Sequence, residues 1–301
     1  MSEQLLSRVT RVVAGTTLTL VATVGGAGPA GAASPEDHPI EVNVNTAGIQ
    51  APDTHTGGLV SFRIATDDPA GRQLQLLRPH DGVAIDQVLH DLADAYGPNQ
   101  STAAAGIKAV RTESEALGGA LVTATVHEQF TEEVSPGAVY LVDLTALKAD
   151  PSHPVVKRLD LAGTGGQNAN QARYDDSIVI EQDEAAGPRF HTVDVDHAHL
   201  AYLVHNESAE LHEFQLRPVA AGTTEADLTA YFTAAAGGET QLASPFTGPG
   251  TGFGMLSPDH KASIQAHGLQ PGTYALIDTV PDEQLGVGHA VLGMHQVVTL
   301  Q

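Results

Sequence analysis

Near its C-terminal end the chain reads "GHAVLGMH" (288–295), which sets His289 and Met294 five residues apart in 301 residues that contain no cysteine. Imidazole suits copper(II) and zinc, and a thioether leans toward copper(I). The lack of cysteine removes thiolate metal sites, iron–sulfur clusters and thiol nucleophiles. Fifteen histidines are spread through the chain. In "HTVDVDHAHLAYLVH" (191–205), a continuous strand would place His191, His197, His199 and His205 on one face, because side chains alternate along a strand. A solvated strand face competes with a metal role there, as does a pH-sensing one. No catalytic constellation stands out. "GPGTGFG" (248–254) lacks the Lys-Ser/Thr of a phosphate cradle, and neither G-x-S-x-G nor H-E-x-x-H occurs. Glu132-Glu133 and Asp175-Asp176 read as loop or face charges. The expectation is a protein that is not an enzyme.

The 36 acidic residues outnumber the 14 basic ones, a balance that repels a polyanion and excludes nucleic acid as a partner. Hydrophobic residues make up 42% of the chain, enough to bury a sizeable core. Residues 1–32 have the pattern of an export signal. Arg8 and Arg11 form a basic start, a short Gly/Thr-rich apolar run follows, and Ala30-Gly31-Ala32 supplies a cleavage site. That run is too weak to span a membrane, and the two arginines are not adjacent as a twin-arginine signal requires. The expected location is secreted or extracytoplasmic. The expected partners are an unknown extracellular protein or a metal ion.

Segments recur in order through the chain. "LQLLRP" (74–79) and "EFQLRP" (213–218) lie 139 residues apart, and "VSPGAVYLVD" (134–143) and "LQPGTYALID" (269–278) lie 135 apart. "IEVNV" precedes "IVIEQ" by 138, and "RLDL" precedes "VVTL" by 139. This spacing predicts two copies of one domain, 38–161 and 174–301, joined by a Gly/Asn-rich linker over 162–173. Each copy reads as six or so short strands with one helical insert, "VAIDQVLHDLADAYG" (83–97) in the first and "TTEADLTAYFTAAAG" (223–237) in the second. The fold class expected is all-β, two tandem Greek-key β-sandwiches.

That order of elements resembles the cupredoxin fold of blue copper proteins. The second copy is similar to secreted bacterial cupredoxin-like domains through "LHEFQL" (211–216), "LQPGTYAL" (269–276) and "HAVLGM" (289–294). The resemblance implies a copper site made of His212, His289 and an axial Met294, with Asp278 standing where the family has its cysteine. Without a thiolate, such a site would be pale and a poor electron shuttle. In the first copy the positions matching His212, Asp278 and Met294 are Gln73, Asp143 and Val155, with His153 out of register. The expected function is therefore a secreted, non-enzymatic cupredoxin-like protein binding copper in its second copy. The alternative is a structural or protein-interaction sandwich with no metal.

Overall fold

The computed structural model describes residues 39–164, 178–184 (backbone only), 187–199, 201–238 and 242–301. The expected export segment lies outside them, as do 165–173 of the expected linker. In the first half, β1 (Ile40–Asn45), β2 (Gly48–Gln50), β3 (Thr54–Ala65) and β4 (Arg72–Pro79) lead into helices α1 (Ile85–Ala95) and α2 (Gln100–Glu113). Next come β5 (Ser114–Val122), β6 (His127–Val134), β7 (Gly137–Asp143), the short α3 (Leu144–Ala149) and β8 (Val156–Thr164). The second half runs β9 (Ile178–Glu184), β10 (Gly187–Val193), β11 (Ala201–Asn206), β12 (His212–Pro218) and α4 (Glu225–Ala236). It continues with β13 (Thr251–Leu256), β14 (Lys261–His267), β15 (Gly272–Ile277), a 3₁₀ turn (His289–Leu292) and β16 (His295–Leu300).

Local sequence explains these elements. In β3, Val60, Phe62 and Ile64 are buried while Ser61 and Arg63 between them are not, the period of two that a half-buried strand requires. Helix α1 turns Val88, Leu89, Leu92 and Ala95 inward at helical spacing. Helix α4 opens with a capping box between Thr224 and Asp227.

The strands form a two-layered, all-β sandwich. One layer runs β2-β1-β3-β6-β14-β11-β9-β10 and the other β8-β7-β4-β5-β13-β12-β15-β16; the first residues of β3 pair with β8 and its later ones with β6, linking the two. Both layers pass from the first half into the second without a break. The antiparallel pairs β6–β14 (Phe130 opposite Ile264) and β5–β13 (Ala120 opposite Phe253) carry them across. The core crosses the same seam, with Phe62 stacked on Phe130 (centroids 4.9 Å), Phe130 edge-on to Phe253 (5.6 Å) and Phe253 beside Phe214 (6.3 Å). Gln75, fully buried, clamps Met255 from both sides. Its Oε1 accepts the Met255 amide (2.7 Å), and its Nε2 donates to the Met255 carbonyl (2.9 Å). A second apolar cluster sets α1 and α2 against Leu211, Met255 and Val280 of the second half.

Two expectations need correction. The insert of the first half is not one helix but two. Helix α2 is built from small residues, with Ala103, Ala104, Ile107 and Val110 inward and Asn99 capping its start through the Thr102 amide (3.0 Å). Gly106 lets it approach α1 so closely that a Cβ there would meet the Asp91 carbonyl oxygen at 2.5 Å. Residues 191–205 are not one strand either. Strand β10 ends at Val193, Asp194 turns with a positive φ of 55°, and β11 starts at Ala201. His191 and His205 therefore sit on different strands, and His197 and His199 lie in the connection between them.

Candidate metal centre

Three chain segments meet at one end of the second half. His212 is the first residue of β12, and Asp278 follows the last residue of β15. His289 opens the 3₁₀ turn, which closes on Gly293 in the left-handed region at φ 103°. Backbone hydrogen bonds tie the pieces together. The Asp278 amide donates to the Met294 carbonyl (3.2 Å), the Ala290 amide to the Asp278 carbonyl (2.7 Å), and the Met294 amide to the His289 carbonyl (3.0 Å).

His212, Asp278 and His289 offer ligand atoms that all lie within 4.8 Å of one another. His212 Nδ1–H donates to Asp278 Oδ2 at 2.6 Å, His289 Nδ1 lies 3.5 Å from the same oxygen, and the two imidazole centroids are 4.3 Å apart. The other Asp278 oxygen accepts the Val280 amide at 2.7 Å. His212 and Asp278 are fully buried and His289 is 1% exposed. Met294 is also fully buried in the same loop, joined to His289 through its amide.

Burial pushes the Asp278 carboxyl upward, but the two imidazoles, His289 foremost, outweigh it, so the carboxyl sits below its ordinary range. Burial disfavours the charged His289 ring, and the Asp278 and Glu210 carboxylates more than reverse that, pushing it up to about 10. Without a metal, the centre is a carboxylate–imidazolium cluster.

The donor set fits a first-row ion of the copper or zinc type, with two imidazole nitrogens and one carboxylate oxygen. Bonds of 2.0–2.1 Å around a tetrahedral ion set neighbouring ligand atoms about 3.3 Å apart. The contact between His289 Nδ1 and Asp278 Oδ2 already has nearly that spacing, whereas the hydrogen bond from His212 must open by about 0.7 Å and give up its proton.

The first half shows what replaces these residues. Leu74 lies opposite Asp143 across β4 and β7, and Gln215 lies opposite Ile277 across β12 and β15. Continuing the second register puts Phe214 opposite Asp278, so the counterpart of His212 is Arg72 and not Gln73, one residue away and on the other face. Arg72 Nη1 donates to Asp143 Oδ2 at 3.1 Å, an ion pair where the second half has its imidazole–carboxylate contact. Asp143 also caps α3 through the Ala146 amide (3.0 Å). Val155 keeps the place of Met294, its carbonyl accepting the Asp143 amide at 3.0 Å. His153 points to solvent beside Asp150. Gln73 instead bridges the halves, donating to Glu213 (2.7 Å) and accepting from Lys148 (2.8 Å).

Sequence reasoning missed the carboxylates around His289. Glu210 Oε2 lies 3.4 Å from His289 Nε2, and Asp282 joins the two in a second cluster of potential ligands. Glu210 stands two residues before His212 in "ELHE", the spacing that shares one face of a strand, and that was the available signal. The first half braces this region from outside. Arg111 of α2 makes a two-pronged ion pair with Glu283, whose amide donates to Glu210 Oε2 at 3.0 Å. Arg111→Ala should cost about 2 kcal/mol, since Arg111 is only partly exposed and Glu283 is left buried with its charge uncompensated. Should the cluster hold copper, the variant should bind it roughly tenfold more weakly, the effect of an outer support on a ligand. Urea unfolding with a copper competition titration reads both, and unchanged affinity would mean the brace does not reach the site.

No family model matches the chain, and no curated protein matches it. Solved structures to which it is similar include reduced auracyanin from Roseiflexus castenholzii, 19% identical, covering 41% of this chain and 94% of that one at a TM-score of 0.24. Rusticyanin from Thiobacillus ferrooxidans is 16% identical over 41% of this chain and 76% of its own, with a TM-score of 0.22. A copper-containing nitrite reductase from Thermus scotoductus SA-01 is 9% identical over 88% of this chain and 61% of its own, with a TM-score of 0.24. At those scores the likenesses carry no argument about function, which rests on this chain's own residues. Among the described residues no helix is long and apolar enough to cross a membrane.

Proposed function

We propose that the chain is an exported, non-enzymatic protein of two tandem cupredoxin-like copies, whose second copy binds copper through His212, Asp278 and His289, with Met294 in the same loop. The convergence of these three buried side chains within 4.8 Å carries the reading. His212 lies 66 residues before Asp278, and strand pairing sets the backbones side by side without requiring these polar side chains to turn toward one another. Export is inferred from the basic start, apolar run and Ala30-Gly31-Ala32 of the first 32 residues. A carboxylate in place of a thiolate suits holding or carrying a copper ion more than passing electrons rapidly.

The Arg72–Asp143 ion pair favours a second reading. There a guanidinium and an aspartate pair directly in the place of His212 and Asp278, so the imidazoles and Asp278 could play that structural part alone. Copper(II) titration separates the two readings. The first expects tight uptake in the wild type and a loss of more than about 100-fold in affinity at this site in His212→Ala. Weak uptake, equal in wild type and variant, would establish the structural reading.

A further inference from the structure

We propose that Glu210, Asp282 and His289 form a second, outer divalent-cation site, so that the His289 ring is shared between two metal ions. This rests on the copper reading of the inner cluster and extends it. The three side chains bring ligand atoms within 4.8 Å of one another. Glu210 is 12% exposed and opens the site to solvent, while His289 is 1% exposed.

The two faces of the His289 ring carry the argument. Nδ1 stands 3.5 Å from Asp278 Oδ2, and Nε2 stands 3.4 Å from Glu210 Oε2. Both exceed the usual N–H···O length of about 2.9–3.0 Å, and both match the edge of about 3.3 Å between ligands of one tetrahedral ion. Nδ1 makes no hydrogen bond among the described residues. Ionised carboxylates only accept, so in the metal-free chain the ring faces both of them with N–H protons. A cation on each side takes the place of one of those protons.

The outer donors, two carboxylate oxygens and one imidazole, suit zinc or copper(II), whereas magnesium and calcium prefer oxygen alone. The carboxylates are already held. Asp282 Oδ1 accepts the amides of Gln284 (3.0 Å) and Leu285 (2.5 Å), and Glu210 Oε2 accepts that of Glu283. When both sites fill, His289 gives up its N–H protons to solvent and bridges as imidazolate.

Copper(II) itself is the probe, added to the metal-free full chain and followed by electron paramagnetic resonance. In the wild type the signal should rise to one equivalent and fall as a second enters, because two copper(II) ions couple through a shared imidazolate. Glu210→Gln should keep the rise, lose the fall and bind one equivalent, with its melting temperature showing an intact fold. Asp282→Asn should behave in the same way. A wild type that binds one equivalent only, or whose signal climbs to two full spins, overturns the outer site and leaves the inner one standing. A fall that persists in Glu210→Gln also overturns it. Binding in wild type that His212→Ala leaves unchanged overturns the inner reading instead, and no uptake at all overturns both.

Discussion

Asp278→Cys should turn the copper(II) form of the protein from pale to intensely blue. The side chain at 278 starts where β15 ends and faces both imidazoles, with its Oδ2 2.6 Å from His212 Nδ1 and 3.5 Å from His289 Nδ1. A cysteine sulfur sits one bond nearer the backbone than a carboxylate oxygen, and it binds at about 2.3 Å where oxygen and nitrogen bind at 2.0–2.1 Å. The shorter reach and the longer bond compensate. Two histidines, one thiolate and a distant thioether are the donors of a blue copper centre. The backbone contact from residue 278 to the Met294 carbonyl survives the substitution. Absorption spectroscopy after copper(II) addition is the measurement, with Asp143→Cys as the control, since there the guanidinium of Arg72 occupies the histidine's place. An Asp278→Cys variant that binds copper(II) without an intense band would show that His212, His289 and residue 278 do not share one ion. The metal-free variant should also melt below wild type, because His289 loses the carboxylate that balances its charge.

Stability should fall steadily between pH 5 and pH 8. Burial raises Glu128 to about 8 and Glu132 to about 7, from an ordinary 4.5. Both lie on β6 at the seam with the second half. Glu128 meets the Thr251 hydroxyl and the Gly252 amide from β13, with Tyr202 nearby. Glu132 faces His260, with Glu115 and Arg78 at a distance. One oxygen of each carboxyl has no hydrogen-bond partner among the described residues. The folded chain keeps protons that the unfolded chain releases above pH 4.5. The contribution is therefore complete below that pH and is lost as pH rises through 7 to 8. His289 acts with the same sign at higher pH, from its unfolded value of 6.5 up to about 10. Asp278, held low, acts oppositely but only in acid, where stability is lost as pH falls below its unfolded value of 3.8. The two glutamates together are worth on the order of 5 kcal/mol, a fall of about 10 °C or more in melting temperature. Glu128→Gln should flatten the slope and leave the variant more stable than wild type at pH 8. A wild-type melting temperature constant from pH 5 to 8 would mean that these carboxyls are ionised in the fold.

The strands were legible where period-two burial is strong, as in Val60, Phe62 and Ile64 of β3, and where a turn motif opens them, as in the "PG" before β7 and β15. The convergence of His212, Asp278 and His289 was legible as well, because short motifs keep their place relative to strand ends. Helix α2 was not. Its inward face is mostly alanine and glycine, which carry little hydropathy contrast, and it buries by close approach rather than by bulk. The first-half position matching His212 was misassigned to Gln73 because "RP" aligns the halves at 139 residues, whereas the strand ladders align them at 140. A one-residue slip moves Gln73 to the other face and brings Arg72 in. The histidine run 191–205 was overextended because alternation cannot see a turn made by a single aspartate at positive φ. Glu210 left a signal in its spacing to His212, whereas Asp282, which enters from a loop, needed the third dimension.

The continuity of both layers across the seam bears on how differently the two halves can be built. The pairs β5–β13 and β6–β14 bring together corresponding strands of the two halves in antiparallel fashion, the arrangement of an isologous homodimer. A single half would expose the unpaired edges of β5 and β6 and would either associate or aggregate. If the halves are two copies of one domain, as proposed, their joining in one polypeptide holds them at a local concentration of order millimolar, with no need for new contacts. It also frees each from having to match the other. One half can then carry Arg72 and the α2 brace while the other carries His212 and its cluster. A homodimer cannot divide labour in that way, because every substitution appears twice.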